Sequence, residues 1–422
     1  MSALALHAPA RNPVTVRRSV RRTADIPRMT RYRGGTYSPT VDTIVFADGS
    51  TARTDLIRLN PNIDAYSLDF TGVAPTRPSR YRPANWSAVP NVSAGAFEAE
   101  VDWIIRNSFP TLGTVELSRR VRATGLLSGQ SHLAEHEAIA ATQAAIWHFT
   151  NGMRLDNRPL DVPITVTRER GGLTFEFDGE PQLGSYTVQL AAEKAVSLIL
   201  QKSVDGVRWR DIAASGLNVA AGRGSHRRGL GYGATTSDAR PGRAQRGYRF
   251  YRLQVVAGGD VDIEDVTFTL HGAGRYRNAE RVVALYDHLV TGALAARRLT
   301  VVPRLTVDRA VLDAAGTVGP FTFHATDAAA LSVSSGEIVN ADGEQIIWPV
   351  IPGRDIYVRG LQAQGSVTVT ASVPAAADGF GGRVITGIAY SGDGTADRRL
   401  TPVALAVPSP TVIDFEIVIS AR

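Results

Sequence analysis

The 422-residue chain contains no cysteine. Disulfide bridges and thiolate metal centres are therefore excluded, whatever compartment the protein occupies. Lysine is almost missing as well: of 46 basic residues only Lys194 and Lys202 are lysines, and the rest are arginines. No apolar run approaches the roughly 18–20 residues that cross a bilayer as a helix. Nor does an apolar segment follow Arg22, so the N-terminus does not read as a secretory signal.

The charge of +6 and a pI near 9.7 raise nucleic-acid binding as a function class. Its distribution argues against that class. Basic residues gather in an N-terminal stretch (Arg11, Arg17, Arg18, Arg21, Arg22, Arg28, Arg31, Arg33) and around Gly222–Arg249, and between them arginine and acid alternate as on a solvated surface. What the chain does have is glycine, proline, valine and threonine in quantity. With 40 Gly and 22 Pro, strands and turns are expected to outweigh helices. The length implies two or three domains.

Four segments follow from the change of texture along the chain. Residues 1–35 read as a disordered basic tail. Residues 36–161 mix short strands with three helices: over Phe97–Ser108, with Val101, Ile104, Ile105 and Ser108 on one face; over Val115–Ala123; and over Ser131–Phe149, with Ser131 as N-cap. Residues 162–274 show period-two runs such as SYTVQLAA and YRFYRLQVV, the pattern of an inserted β-sandwich. Its texture resembles galactose-binding-like jelly rolls. Residues 275–422 begin with a helix over Asn278–Ala296 and continue as strands.

Two short stretches carry the most specific signal. Ala140–Asn151, AATQAAIWHFTN, contains TQxAΦW in Thr142, Gln143 and Trp147, and Asp64–Phe70 reads DAYSLDF. Together with YRPANWS (Tyr81–Ser87) and VDWIIRNSFP (Val101–Pro110), they resemble the thioester domains of Gram-positive and actinobacterial surface adhesins. The resemblance implies a mixed α+β, β-rich fold: a thioester-domain-like frame with short helices, interrupted by the sandwich insert and followed by a β-rich segment. In that family a cysteine thiol and a glutamine carboxamide condense, with loss of ammonia, to a buried thioester that a ligand amine attacks.

The reactive pair departs from the family. Ser67 stands where the cysteine is expected, between Tyr66 and Asp69, and Thr401 in TPVALA stands where the donor glutamine is expected. A serine hydroxyl is far less acidic than a thiol, whose reference pKa is about 8.5. One exchange alone would suit an engineered trap, whereas two point to degeneration. Gln143 belongs to the packing motif. Gln201 and Gln254 are fallback donors by local pattern, with solvent-facing strand positions the plainer reading.

Other constellations are weaker. His132–His136, HLAEH, has the H-x-x-E-H pattern of some zinc proteases, but no following helix offers a third ligand, and a solvated helix start accounts for it. His148 reads as a packed histidine. Gly229–Gly233 reads as a flexible tip flanked by Arg227, Arg228 and Arg243, candidates for contact with anionic glycans. No cofactor, metal or catalytic role is expected. The leading expectation is an extracellular or cell-surface protein that binds a host or environmental ligand, a glycan among the candidates, without covalent capture. The alternatives are a carbohydrate-binding module acting through the insert and a covalent acyl-transfer adhesin using Ser67.

Overall fold

The computed structural model describes residues 14–20, 30–36, 38–60, 62–75, 79–84, 97–127, 132–169, 171–237, 246–271, 274–299, 303–361, 365–373, 382–383, 386–390, 400–405 and 409–419. The chain divides into two units, one spanning residues 1–46, 50–155 and 284–422, the other residues 47–49 and 156–283. Strands dominate both, and the longer helices belong mainly to the first.

In the first unit, six strands close a small barrel in the order Thr30–Gly35, Ile57–Leu59, Ile63–Ser67, Val403–Leu405, Thr386–Tyr390 and Arg80–Ala84. Its core is Ile57, Leu59, Ala65, Tyr81, Leu400 and Val403. Two of the six strands come from the far end of the sequence. Val403 pairs directly opposite Ser67, which brings the neighbourhood of residue 401 to the end of the Ser67 strand.

Helices α1 (Glu98–Arg106), α2 (Thr114–Ala123) and α3 (Glu135–Asn151) follow the first barrel strands. Val101, Ile104, Ile105 and Ser108 are all buried, but so are Glu100, Asp102 and Arg106, so α1 is enclosed on more than the one face that the apolar period marks. Helix α3 starts four residues later than expected, and Ser131 lies outside the described residues. Its cap is Ala134, whose N–H donates to the Glu137 carboxylate at 2.8 Å, the half of a capping box that an alanine can provide. Alanines 138, 140, 141, 144 and 145 are all buried, so α3 is enclosed nearly all round. Helix α4 (Glu280–Leu299) places Tyr286 beside His148 of α3.

The same unit holds a sandwich of two sheets around Phe321, Phe323, Ile356, Val369, Phe415 and Ile417. Here the expectation of a structureless tail needs correction. Val14–Val20 is a strand paired antiparallel with Ser409–Ile419, Val14 opposite Ile419, and Thr30–Gly35 is a barrel strand. Val14 is buried and Val16 packs against the same core. Two valines at period two are enough for an edge strand, while Arg17 and Arg18 directly after them mask the pattern in a composition-based reading.

The second unit is a β-sandwich. One sheet has the order Gly222–Gly229, Leu183–Ala192, Val261–Leu270; the other runs Arg210–Asp211, Val196–Ser203, Phe250–Ala257, Gly172–Glu176, Thr165–Glu169, with Leu217–Val219 also paired to Val196–Ser203. Phe175, Phe177, Tyr186, Tyr251 and Phe268 fill the space between. The basic loop expected from residue 222 begins instead as an edge strand of alternating arginine, glycine, serine and histidine. The incoming and outgoing chain are tied together at Leu160 N–H to Arg275 O, 2.7 Å. Beside this tie, the buried Asp156 carboxylate meets Arg158 at 2.9 Å and Arg277 at 3.1 Å.

Candidate functional site

The site grows from one face of α3. Gln143, Trp147 and Asn151 follow one another at four-residue steps and so lie in a row along the helix. Each meets a different part of the segment that leaves the Ser67 strand. The Gln143 carboxamide spans the backbone of Ser67: Ser67 N–H donates to Oε1 at 2.9 Å, and Nε2 donates to Ser67 O at 2.8 Å. Trp147 packs against Phe70 and Phe46, with ring centroids 5.3 and 6.3 Å apart. Asn151 Oδ1 accepts from Phe70 N–H at 3.2 Å. The polar members of the TQxAΦW motif thus hold backbone in place. Thr142 Oγ1 donates to the carbonyl of Ala138, one turn back.

Ser67 itself is 8% exposed and Thr401 2%. Their hydroxyl oxygens lie 2.7 Å apart, across 334 residues of sequence. The Asp69 carbonyl lies 2.9 Å from Ser67 Oγ and 3.4 Å from Thr401 Oγ1, so it can accept from either hydroxyl, and either can donate to the other. The two hydroxyls and the Asp69 carbonyl thus form one closed hydrogen-bonded cluster. Among the described residues, no histidine, lysine or carboxylate is hydrogen-bonded to Ser67 Oγ. A hydroxyl without an adjacent base stays protonated and weakly nucleophilic.

The turn beyond Ser67 is fastened on both sides. Asp69 Oδ1 accepts from the backbone and hydroxyl of Thr71, each at 2.9 Å, an arrangement that orders the turn. From the other side, Leu68 N–H donates to Pro402 O at 2.8 Å and Thr401 N–H to Val73 O at 2.9 Å. The two segments come so close at Gly72 that a Cβ there would lie 2.7 Å from Thr401 Cβ. Tyr66 is fully buried and donates to Phe109 O at 2.6 Å; burial pushes its phenol well above the usual range. The Trp147 indole N–H is buried without a hydrogen-bond partner among the described residues.

Other sequence candidates make different contacts. Arg227 and Arg228 sit on the edge strand of the second unit, where Arg227 Nε donates to Ser185 Oγ at 3.3 Å and Arg228 Nε to Ala214 O at 2.8 Å. Arg243 lies outside the described residues. Gln201 is engaged in the same unit, donating to Asp211 and accepting from Arg252. In the HLAEH stretch, His136 Nδ1 meets Asp42 at 2.8 Å. His148 shares a 2.7 Å hydrogen bond with the Tyr286 hydroxyl. Sequence reasoning passed over Asn151, Phe70 and Phe46. The four-residue spacing from Gln143 through Trp147 to Asn151 was the available signal for the first, and no comparable spacing marks the two phenylalanines.

The thioester domain family matches residues 64–182, a span that contains Ser67, Gln143 and Trp147. No curated protein matches. Among solved structures, the chain is similar to the Bacillus anthracis TIE protein at 11% identity and a TM-score of 0.37, covering 92% of this chain and 48% of that one. The chain thus spans about half the length of that protein. It is similar to the thioester domain of the Enterococcus faecium TIE86 protein at 11% identity and a TM-score of 0.33, covering 95% of this chain and 96% of that one. A shorter similarity, 25% of this chain and 75% of the other at 15% identity and a TM-score of 0.19, is to CpGH89CBM32-6 produced by Clostridium perfringens. Likeness this distant leaves the chemistry to be argued from the residues themselves. Over residues 64–182 the chain carries the thioester domain signature, with Ser67 where the cysteine of that family is expected.

Proposed function

We propose that this chain is a surface-type adhesion protein that holds its ligand non-covalently, a thioester-domain relative without covalent capture. The observation that carries the reading is the 2.7 Å approach of Ser67 Oγ to Thr401 Oγ1. Two hydroxyls meet where the family's chemistry calls for a thiol and a carboxamide. Threonine has no acyl group to give, so no ammonia can leave and no ester can form between them. The Gln143 carboxamide is held by the Ser67 backbone, through hydrogen bonds on both its oxygen and its nitrogen. In this reading the enclosed site is architectural, the chain has no catalytic role, and the partner is a host or environmental surface ligand outside the producing cell.

The test is the intact mass of the purified protein under denaturing conditions, before and after incubation with a small primary amine. A mass equal to that of the sequence, unchanged by the amine, supports the reading. A deficit of one ammonia, or an amine adduct on Ser67, overturns it. A second reading, carbohydrate binding through the inserted sandwich, is favoured by Tyr232, which is 84% exposed four residues after Arg228. An exposed ring of that kind suits stacking against a sugar face. Loss of glycan binding in Tyr232→Ala, with Ser67→Ala unaffected, would select it.

A further inference from the structure

Barrel strands Thr30–Gly35 and Arg80–Ala84 pair antiparallel with Arg31 directly opposite Arg80. The neighbouring residues Tyr32 and Tyr81 pack toward the barrel core. Strand alternation therefore turns Arg31 and Arg80 to the outside, and both are exposed. Directly opposed side chains have Cβ atoms about 4.5–5.5 Å apart, where like charges destabilise the pair. Among the described residues neither guanidinium has a carboxylate or a hydrogen-bond partner. Elsewhere in this unit arginines meet acids: Arg106 with Asp102, Arg309 with Asp355, Arg359 with Glu337. Arg33, at a bulge two residues beyond Arg31, is exposed too. Its Nη1 donates to the neutral Asn62 at 2.6 Å, and the neighbouring Asp64 carboxylate lies in the field of both Arg33 and Arg58, 3.7 Å from the latter.

We propose that this barrel face is a binding site for an anionic polysaccharide whose ester oxyanions bridge Arg31 and Arg80. A tetrahedral sulfate or phosphate ester accepts forked hydrogen bonds from two guanidinium groups at once, and its charge converts the cross-strand repulsion into attraction. Arg33 lies about 7 Å further along its strand, at roughly 3.4 Å per residue. A second anionic group on the same molecule would meet it, which favours a polymer with repeating charges over a single ion. The two tyrosines of these strands face inward, so they offer no platform for the base stacking that single-stranded nucleic acid uses. The inference rests on the reading of the chain as a non-covalent binder and names a site for that role. It does not involve Ser67: an ammonia deficit in the intact mass would overturn that reading while leaving the result below to stand or fall separately.

The experiment is salt-gradient elution of the full chain from immobilised heparin, with poly(glycerol phosphate), single-stranded DNA and neutral dextran as soluble competitors. The parent should be retained at low salt and released as ionic strength rises. R31Q/R80Q should bind roughly tenfold more weakly or worse, the loss expected from removing charged hydrogen bonds. The second basic patch supplies the control, since R227Q/R228Q should elute with the parent. Stronger competition by added heparin than by poly(glycerol phosphate) would assign the site to sulfate esters, and the reverse order to phosphate esters. Absence of retention, equal retention of R31Q/R80Q, loss in R227Q/R228Q instead, or DNA as the strongest competitor would each overturn the proposal. A folding control guards the result: in low-salt buffer R80Q should melt no earlier than the parent, because it removes a repulsion.

Discussion

Within one unit, the enclosed cluster around Ser67 and the outer barrel face around Arg31 treat polar groups in opposite ways. At Ser67 the backbone N–H, the carbonyl and the hydroxyl are all answered by Gln143, Asp69 and Thr401. At Arg31 and Arg80 two full charges stand opposite each other, with no carboxylate answering them among the described residues. The more recognisable of the two regions is thus the self-contained one, and the region without a motif is the one left open to a partner. A signature in a sequence can mark how a chain is held together as readily as what it acts on.

The strongest way to break this contrast is Gln143→Ala. It removes both partners of the Ser67 backbone in a site that excludes water, and each buried group left unpaired costs about 1–3 kcal/mol. The expected loss is about 2–4 kcal/mol, read as a lower midpoint in urea with an unchanged slope. Wild-type stability in this variant would mean that the site is looser than its hydrogen bonds suggest. Next in size is Gly72→Ala, whose new methyl would collide with Thr401. Overpacking of this kind costs about 1–3 kcal/mol, and Thr401→Ala in the same chain should recover part of it by making room.

Ser67→Ala is a smaller perturbation. It deletes a hydroxyl that links Thr401 to Asp69, worth about 1 kcal/mol, and should leave ligand binding and intact mass chemistry as they were. Loss of ligand binding at unchanged stability would reopen the site as functional. The gentlest probe is pH. Burial, with the charge of Arg154 assisting, lowers the pKa of His148, and burial with the charge of Arg120 lowers that of His288. The folded state therefore resists protonation that the unfolded chain accepts. Stability is fully present above the ordinary histidine pKa of about 6.5 and declines as pH falls through it. Retention on heparin should hold steady over the same interval, because arginine keeps its charge. A parallel fall in both would join the two regions that the comparison separates.

Much of the framework was legible in advance. Helix α3 could be read because its apolar residues keep the helical period, and α1 because Val101, Ile104 and Ile105 do the same before Pro110. Strands with strict alternation, such as Leu183–Ala192, announced the sandwich. Val14–Val20 was lost because three valines interrupted by Arg17 and Arg18 fall below any compositional threshold. The meeting of Ser67 and Thr401 could not be derived from periodicity at all, since 334 residues separate them and only the resemblance linked the two positions. The unanswered arginines were equally hidden. Arg31 and Arg80 become neighbours only through strand register, which the sequence of either strand leaves open.

The pairing of Val403 with Ser67 also sets an order of events. During synthesis, the strand that carries Ser67 is made with its Thr401 neighbour more than three hundred residues away. Closing so long a loop is slow, and sheets built on distant partners form late. While the chain is still growing, the inserted sandwich, whose strands are close in sequence, has every element it needs before the barrel has its last two strands. Any handling of the nascent chain, by a ribosome, a chaperone or an export channel, therefore meets a protein whose Ser67 is still open to water. The burial that characterises this residue in the finished molecule is acquired only at the end.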